Sequence, residues 1–249
     1  MIYFLLIILG LVLGSFINAL VYRLNARQSI FWARSACPKC GHKLAAKDLV
    51  PIFSFAILGG RCRHCRAKIS VSYPIVEFAA AALLVLVYWI WSPDLLMVFG
   101  YAVLSLFLLI IFIYDYKYYL IPDCVILPAI VFAVIFNILR QQDILYIFLA
   151  AAVGGGFFLL QYVISRGKWI GGGDIRLGVL AGAILGWPGV LFGIFLAYIL
   201  GAAVSVPLVV SGKKAIGSAI PFGTFFTAAI FIAIWWGERI VGWYFGLLT

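Results

Sequence analysis

The chain has 249 residues, 66% of them apolar and only 10% charged, a balance outside the range of soluble globular domains of this length. Its net charge of +10 does not point to nucleic acid, because 10 of the 18 basic residues fall in one stretch from Arg23 to Lys68. Apolar segments of roughly 17 to 25 residues recur from end to end, each long enough to cross about 30 Å of hydrocarbon as a helix. Period-two alternation of the barrel kind is absent. The expected fold class is an all-α polytopic membrane protein, since helices satisfy their backbone hydrogen bonds within the segment.

The first apolar segment, residues 2–21, lacks a basic n-region and a small-residue cleavage site, so it reads as a retained first helix. A loop of about 50 residues follows, the only sizeable polar region, and it holds four of the five cysteines. Seven more helices are expected over residues 74–91, 95–114, 121–139, 144–165, 172–185, 190–210 and 219–245, about eight spans in all. The sixth is short and glycine-rich. Basic residues of short loops are held on the cytoplasmic side, which places the cysteine loop in the cytoplasm. The later loops alternate accordingly: Lys117, Arg166 with Lys168, and Lys213 with Lys214 lie inside, while 92–94 and 187–189 carry no Lys or Arg. Arg140 on an outer loop is an exception, offset by Asp143.

With eight acidic residues in the chain, each one beside an apolar span needs a reason, because charge in hydrocarbon costs several kcal/mol. Asp115, in FIYDYKYYLIPD, ends the third span, and Asp174, in WIGGGDIRLG, opens the sixth. The topology puts both at the cytoplasmic edge. Two carboxylates converging on one water are the minimum apparatus of aspartyl proteolysis, one acting as base and the other as acid. The helix dipole favours Asp174, at a helix N-terminus, as starting base, and Asp115, at a C-terminus, as acid. Gly171, Gly172 and Gly173 precede Asp174, where glycine permits unusual backbone angles and close approach of an extended substrate. The bland alternative is glycines that ease helix packing and aspartates solvated at helix ends.

Cys37, Cys40, Cys62 and Cys65 form CPKC and CRHC separated by 21 residues, a spacing suited to a tetrahedral structural Zn²⁺. Disulfides are the rival reading, disfavoured in reducing cytosol. His42 and His64 lie near enough in sequence to substitute as ligands, although four thiolates already complete a site. Cys124, in an apolar run, is expected to be a buried small residue. The loop's lysines and arginines suit anionic lipid headgroups rather than nucleic acid.

Asp115 with IPD at 121–123, GxGD at 171–174 followed by Ile175 and Arg176, and IPFG at 220–223 resemble, in order, the core of the type IV prepilin peptidases. The family's catalytic aspartates map onto Asp115 and Asp174, and Asp123 reads as a helix-start residue. Gly172, Arg176, Tyr118 and Tyr119 depart from the family's usual residues without touching the carboxylates. GSFINALVYRL at 14–24, GGRCRHC at 59–65 and SYPIVE at 72–77 resemble the N-terminal domain of the bifunctional members, so the resemblance covers nearly the whole chain. It implies a first helix at 1–23, a cytoplasmic zinc domain at 24–73 and a peptidase core at 74–249. It also implies S-adenosyl-L-methionine-dependent methylation of the new N-terminus, with Gly60, Arg61 and Glu77 linked to that step. The implied partners are pilin or pseudopilin precursors with basic leaders, and the implied location is the bacterial inner membrane with the active site facing the cytoplasm. Asp48 and Glu77 are the local acceptors the basic loop offers to such leaders. The alternatives are a zinc-ribbon transporter using Asp115 and Asp174 as ion sites, or a presenilin-like intramembrane protease.

Overall fold

A computed structural model describes residues 1–30, 32, 34–213, 215 and 220–246. Among them the chain is helical: α1 Ile2–Asn25, α2 Phe53–Ile57, α3 Ser72–Trp91, α4 Leu95–Tyr118, α5 Asp123–Leu139, α6 Ile144–Ser165, α7 Gly172–Val210 and α8 Phe222–Gly246, with a single 3₁₀ turn at Ala46–Asp48. The expected start of the last helix at Ala219 and the basic loop position Lys214 lie outside the described residues. α1, α3, α4, α6 and α7 are long and apolar enough to cross a membrane, while α5 and the Phe222–Gly237 part of α8 are shorter apolar helices. α7 is broken at Gly186 and Trp187, whose backbone leaves helical geometry, so its two parts correspond to the two segments expected there.

The break is held by neighbouring side chains. Asn137, buried in α5, donates its Nδ2 to Ala183 O at 2.6 Å, and the Tyr146 hydroxyl of α6 donates to Trp187 O. In a bilayer those carbonyls have no water to turn to, so partners from adjacent helices are needed where an interior Pro188 ends the ladder.

The chain forms two compact units, Met1–Leu106 and Phe107–Thr249. In the first, α1 packs along α3. A Cβ on Gly10 would sit 2.3 Å from the Ala81 Cα, and one on Gly14 would sit 2.5 Å from the Glu77 Cα, so the two backbones touch through the GxxxG spacing. Asn18, also on this face, donates to Tyr73 O at 3.0 Å.

In the second unit α7 packs on α6, α8 and α5. Lipid supplies little hydrophobic drive between helices, so close backbone approach does the work: a Cβ on Gly178 would fall 2.4 Å from Gly154 O and 2.6 Å from Phe158 Cδ2. Gly178→Ala is therefore expected to force α6 and α7 apart and to cost roughly 1–3 kcal/mol, read as a lower unfolding temperature in detergent. Gly156→Ala, where nothing lies within 4 Å of the added carbon, is the control and leaves that temperature unchanged or raised. Equal behaviour of the two variants would refute this packing account.

Candidate functional site

The second unit carries the acid pair. α4 continues one turn beyond its expected end, to Tyr118, because nothing interrupts it before Pro122, so Asp115 sits inside the last turn. Its side chain is only 5% exposed. The Thr224 backbone N–H (2.6 Å) and hydroxyl (2.9 Å) both donate to Asp115 Oδ2, which makes that oxygen an acceptor and leaves Oδ1 as the atom able to exchange a proton. Thr224 escaped the sequence reading, although the IPFG motif immediately before it was the available signal.

Asp174 lies in the first turn of α7, where its Oδ2 accepts the Gly171 N–H at 3.0 Å and so caps the helix. Gly171 is extended, with φ −85°, and Gly172 opens the helix, so unusual backbone angles are not what these glycines supply. What one of them supplies is room. A Cβ on Gly173 would meet Ile121 Cβ at 3.0 Å, and one on Gly223 would meet Asp115 Cγ at 3.0 Å and Ile121 Cδ1 at 3.2 Å. Ile121 of the IPD motif is thus wedged between the glycine of GxGD and the glycine of IPFG, and three distant motifs meet on one side chain. Asp115, Asp174, Gly171, Gly172 and Gly173 all line one cavity of about 790 Å³. Asp123 begins α5 and pairs with Arg176 at an exposed position, a contact contributing about 0–1 kcal/mol.

The first unit carries the thiol cluster. Each knuckle is a tight loop closed by a short antiparallel bridge, Ala36 with Lys43 and Arg61 with Lys68. Cys37 N donates to His42 O and Cys62 N to Ala67 O, both at 2.9 Å, so the two halves repeat one hydrogen-bond pattern. The four sulfur atoms of Cys37, Cys40, Cys62 and Cys65 lie within 4.8 Å of one another, and Cys37 Sγ is 3.8 Å from Cys65 Sγ. Zinc–sulfur bonds of about 2.3 Å arranged tetrahedrally set an edge of about 3.8 Å, so the donor set fits Zn²⁺. Backbone hydrogen bonds from Cys40 and Lys39 pull the Cys37 thiol down to about 7. At Cys65 the Ala67 N–H lowers the thiol, but burial and hydrogen bonding with the three sister thiols outweigh it and push it up to about 11. A cation is what releases the last protons from such a cluster. The His42 and His64 ring centroids lie 3.4 Å apart with their planes tilted by 33°, and neither joins the ligand cluster.

Two expectations are corrected here. Cys124 is exposed at the start of α5 rather than buried, because the first turn of that helix turns this position outward. Asp48 is no acceptor for a leader peptide: Arg63 Nε donates to its Oδ1 at 2.8 Å, and that hydrogen bond holds its carboxyl below the usual range. This pair ties the segment after the first knuckle to the second.

Beneath the knuckles lies a second cavity, of about 400 Å³, lined by residues of α1, α2, α3 and both knuckles. Glu77 lines it and is only 6% exposed, its Oε2 accepting the Ile52 N–H at 2.7 Å. Gly60 and Arg61 do not line it. Gly60 sits at φ +66° in the turn behind Phe55, where a Cβ would come 3.1 Å from the ring, so it shapes the wall from outside.

A broken-helix bundle able to span a membrane, with two aspartates in one cavity and a four-thiol knuckle, defines a multi-pass membrane protein of the paired-carboxylate kind. Comparison with known proteins narrows the class. Residues 8–91 match the bacterial peptidase A24 N-terminal domain and residues 102–206 match the type IV leader peptidase family. Proteins named prepilin leader peptidase/N-methyltransferase align along most of their length. That of Pseudomonas putida is 32% identical over 94% of this chain and 90% of its own, and that of Aeromonas salmonicida 31% over 97% and 94%. The Burkholderia pseudomallei protein is 33% identical over 89% and 81%. No solved structure matches at a comparable level. The chain belongs to the type IV leader peptidase family.

Proposed function

We propose that this chain is an aspartyl endopeptidase that removes the leader from type IV prepilin-like precursors at the cytoplasmic membrane face and then N-methylates the exposed amine. The observation that carries the first activity is the placing of Asp115 and Asp174 in one cavity, by motifs that interlock on Ile121. Asp174, favoured as carboxylate by the α7 N-terminus, takes a proton from water, and the resulting hydroxide attacks the scissile carbonyl. Asp115 delivers its proton from Oδ1 to the carbonyl oxygen, while Thr224 keeps Oδ2 fixed; as the tetrahedral intermediate collapses, Asp174 passes the proton it took from water to the departing amine and Asp115 recovers one from the intermediate's hydroxyl. The first turn of α7, Gly171, Gly172 and Gly173, receives the extended peptide ahead of the cut.

The division of labour runs between a zinc domain at residues 24–73, tethered by the helix at 1–23, and a peptidase core at 74–249. Zn²⁺ on Cys37, Cys40, Cys62 and Cys65 orders a segment with too few apolar residues to make its own core. S-adenosyl-L-methionine, when bound, supplies the methyl group that replaces a proton on the new N-terminal amine. Gly60, Arg61 and Glu77 serve that step, Gly60 through the turn it makes. The basic leader stays at the headgroup level of the cytoplasmic leaflet, where the loop's own lysines and arginines rest on anionic lipid, and the apolar helix behind it docks from the bilayer.

The test is a full-length precursor mixed with the chain in membranes, with leader removal and N-terminal mass read together. Cut and methylated product is expected, and uncut precursor beside inserted wild-type protein would overturn the reading. Thr224→Val keeps the shape and the backbone donor but removes the hydroxyl. It is expected to lower turnover by about 10- to 100-fold at little changed KM, with Thr224→Ser restoring most of it. A loss shared by the Ser variant would mean that the side chain's packing, not its hydroxyl, matters.

A further inference from the structure

The segment that carries the knuckles contains one run ill suited to water. Residues 49–58 read LVPIFSFAIL, with Ser54 the one polar side chain. The inward positions are used, since Ser54, Phe55 and Leu58 line the cavity beneath the knuckles. The outward ones are not: Leu49, Val50, Phe53 and Ile57 are exposed, the last two by 65% and 79%. Phe53 and Ile57 stand four residues apart on α2 and so share one face. A contiguous apolar face of this kind marks a surface that is covered in use.

Its depth says by what. α3 has 20 residues, about 30 Å of helix, just the thickness of the hydrocarbon layer, so its first residue, Ser72, lies near the edge of that layer. Glu77 is five residues further in, about 7.5 Å along the axis, and its Oε2 accepts the Ile52 N–H at 2.7 Å. α2 therefore starts level with the first turns of a membrane-spanning helix rather than above them. The cavity agrees, because its lining joins Ser54 of α2 to Ser15 of α1, ten residues before α1 ends. The chain bends sharply to reach this level: Ile52 has φ +59°, a conformation that β-branched residues avoid, and the Glu77 carboxylate holds the amide so turned. At the start of α3, Val71, Ile75 and Phe78 form an exposed stripe of the kind a spanning helix turns to acyl chains, and it passes beside Glu77. Around the run, Lys43, Lys47, Arg61 and Lys68 are exposed, the flanking charge that anionic headgroups attract.

From depth, apolar face and flanking charge, we infer that residues 49–57 are an elbow inserted into the bilayer leaflet on the knuckle side. Leu49, Val50, Phe53 and Ile57 lie below the headgroups among the upper acyl chains, and the lysines and arginines stay at headgroup level. This goes beyond the headgroup contact proposed above, because it gives the zinc domain an anchorage of its own. The knuckles are thereby held at a fixed height over the surface from which a membrane-embedded precursor presents its amino terminus.

Photocrosslinking of the full, zinc-loaded chain in vesicles tests the elbow. A benzophenone amino acid is placed at Phe53 or Ile57 and, as standards, at Phe78 on the lipid-facing stripe of α3 and at the exposed Lys43. The vesicles are phosphatidylcholine with phosphatidylglycerol, or phosphatidylcholine alone, and adducts are identified by mass. Positions 53 and 57 are expected to give acyl-chain adducts in both compositions, at yields near that of position 78 and at least about tenfold above position 43. Zinc content confirms that each variant folds. Yields no higher than at position 43, or adducts to a second copy or to added precursor in place of lipid, would overturn the elbow. Labelling that vanishes without phosphatidylglycerol would also overturn it, since headgroup charge alone would then hold the loop down.

Discussion

Asp115→Asn and Asp174→Asn are each expected to abolish leader removal, by about 10³-fold or more, while leaving the protein inserted at normal levels. The amide keeps the shape of the side chain and can still accept hydrogen bonds through its one oxygen, so Thr224 can hold the substituted side chain at position 115 and Gly171 can still cap onto position 174. What the amide cannot do is carry a proton through the cycle, and loss of one member of an acid–base pair costs about 4 kcal/mol or more of barrier stabilisation. Because the two groups act as a unit, the double variant should be no slower than either single one. Asp123→Asn is the internal comparison: it loses only an exposed pairing with Arg176 and should keep activity within a few-fold. Gel and mass analysis of a precursor in membranes reads all four. Normal cutting by either single variant would remove the aspartyl mechanism, and an ion-translocating role for the same carboxylates would then have to be taken up.

Loss of the thiol cluster should have the second largest effect. Wild-type protein is expected to carry stoichiometric zinc by elemental mass spectrometry, and Cys37→Ser or Cys62→Ser to carry none. Zinc held by four thiolates contributes about 10–16 kcal/mol of apparent binding energy to a small domain, far more than the short α2 and one 3₁₀ turn can replace. Residues 24–73 in those variants should become open to protease, and methylation should disappear with the domain. Protons compete with the metal for the same sulfurs, so zinc occupancy should fall as pH is lowered and be restored on raising it. Full zinc retention by the serine variants, or a metal-free wild type, would refute the assignment.

The eight apolar segments, the break before Pro188 and the four-cysteine cluster were legible in the sequence because each follows from a local rule: span length, proline and glycine chemistry, and CxxC spacing. The acid pair was legible as two charges that apolar surroundings make conspicuous. Thr224 was not, because a threonine beside a glycine has no signature until tertiary structure places it against Asp115. Asp48 was misjudged for the same reason: in sequence it is an acid among bases, and only the fold shows that Arg63 has taken it. Cys124 failed on direction, since an apolar run on a lipid-facing helix gives no sign of which face is inside. The wedge at Ile121 could not be foreseen, because nothing in a chain says that two glycines far apart will share one neighbour.

The contact of Gly14 with the Glu77 backbone changes what α1 is for. A first helix whose only duty was anchorage could be exchanged for any apolar segment of equal length. Here α3 rests directly on the bare backbone of α1, through Gly10 and Gly14, and the carboxylate beneath the knuckles hangs from that seat. A chimera bearing a foreign leucine-rich anchor would still reach the bilayer, yet its α3 would be displaced outward by the width of a side chain. The amino-terminal helix is a template for its neighbour, and its interchangeability with other anchors ends at two glycines.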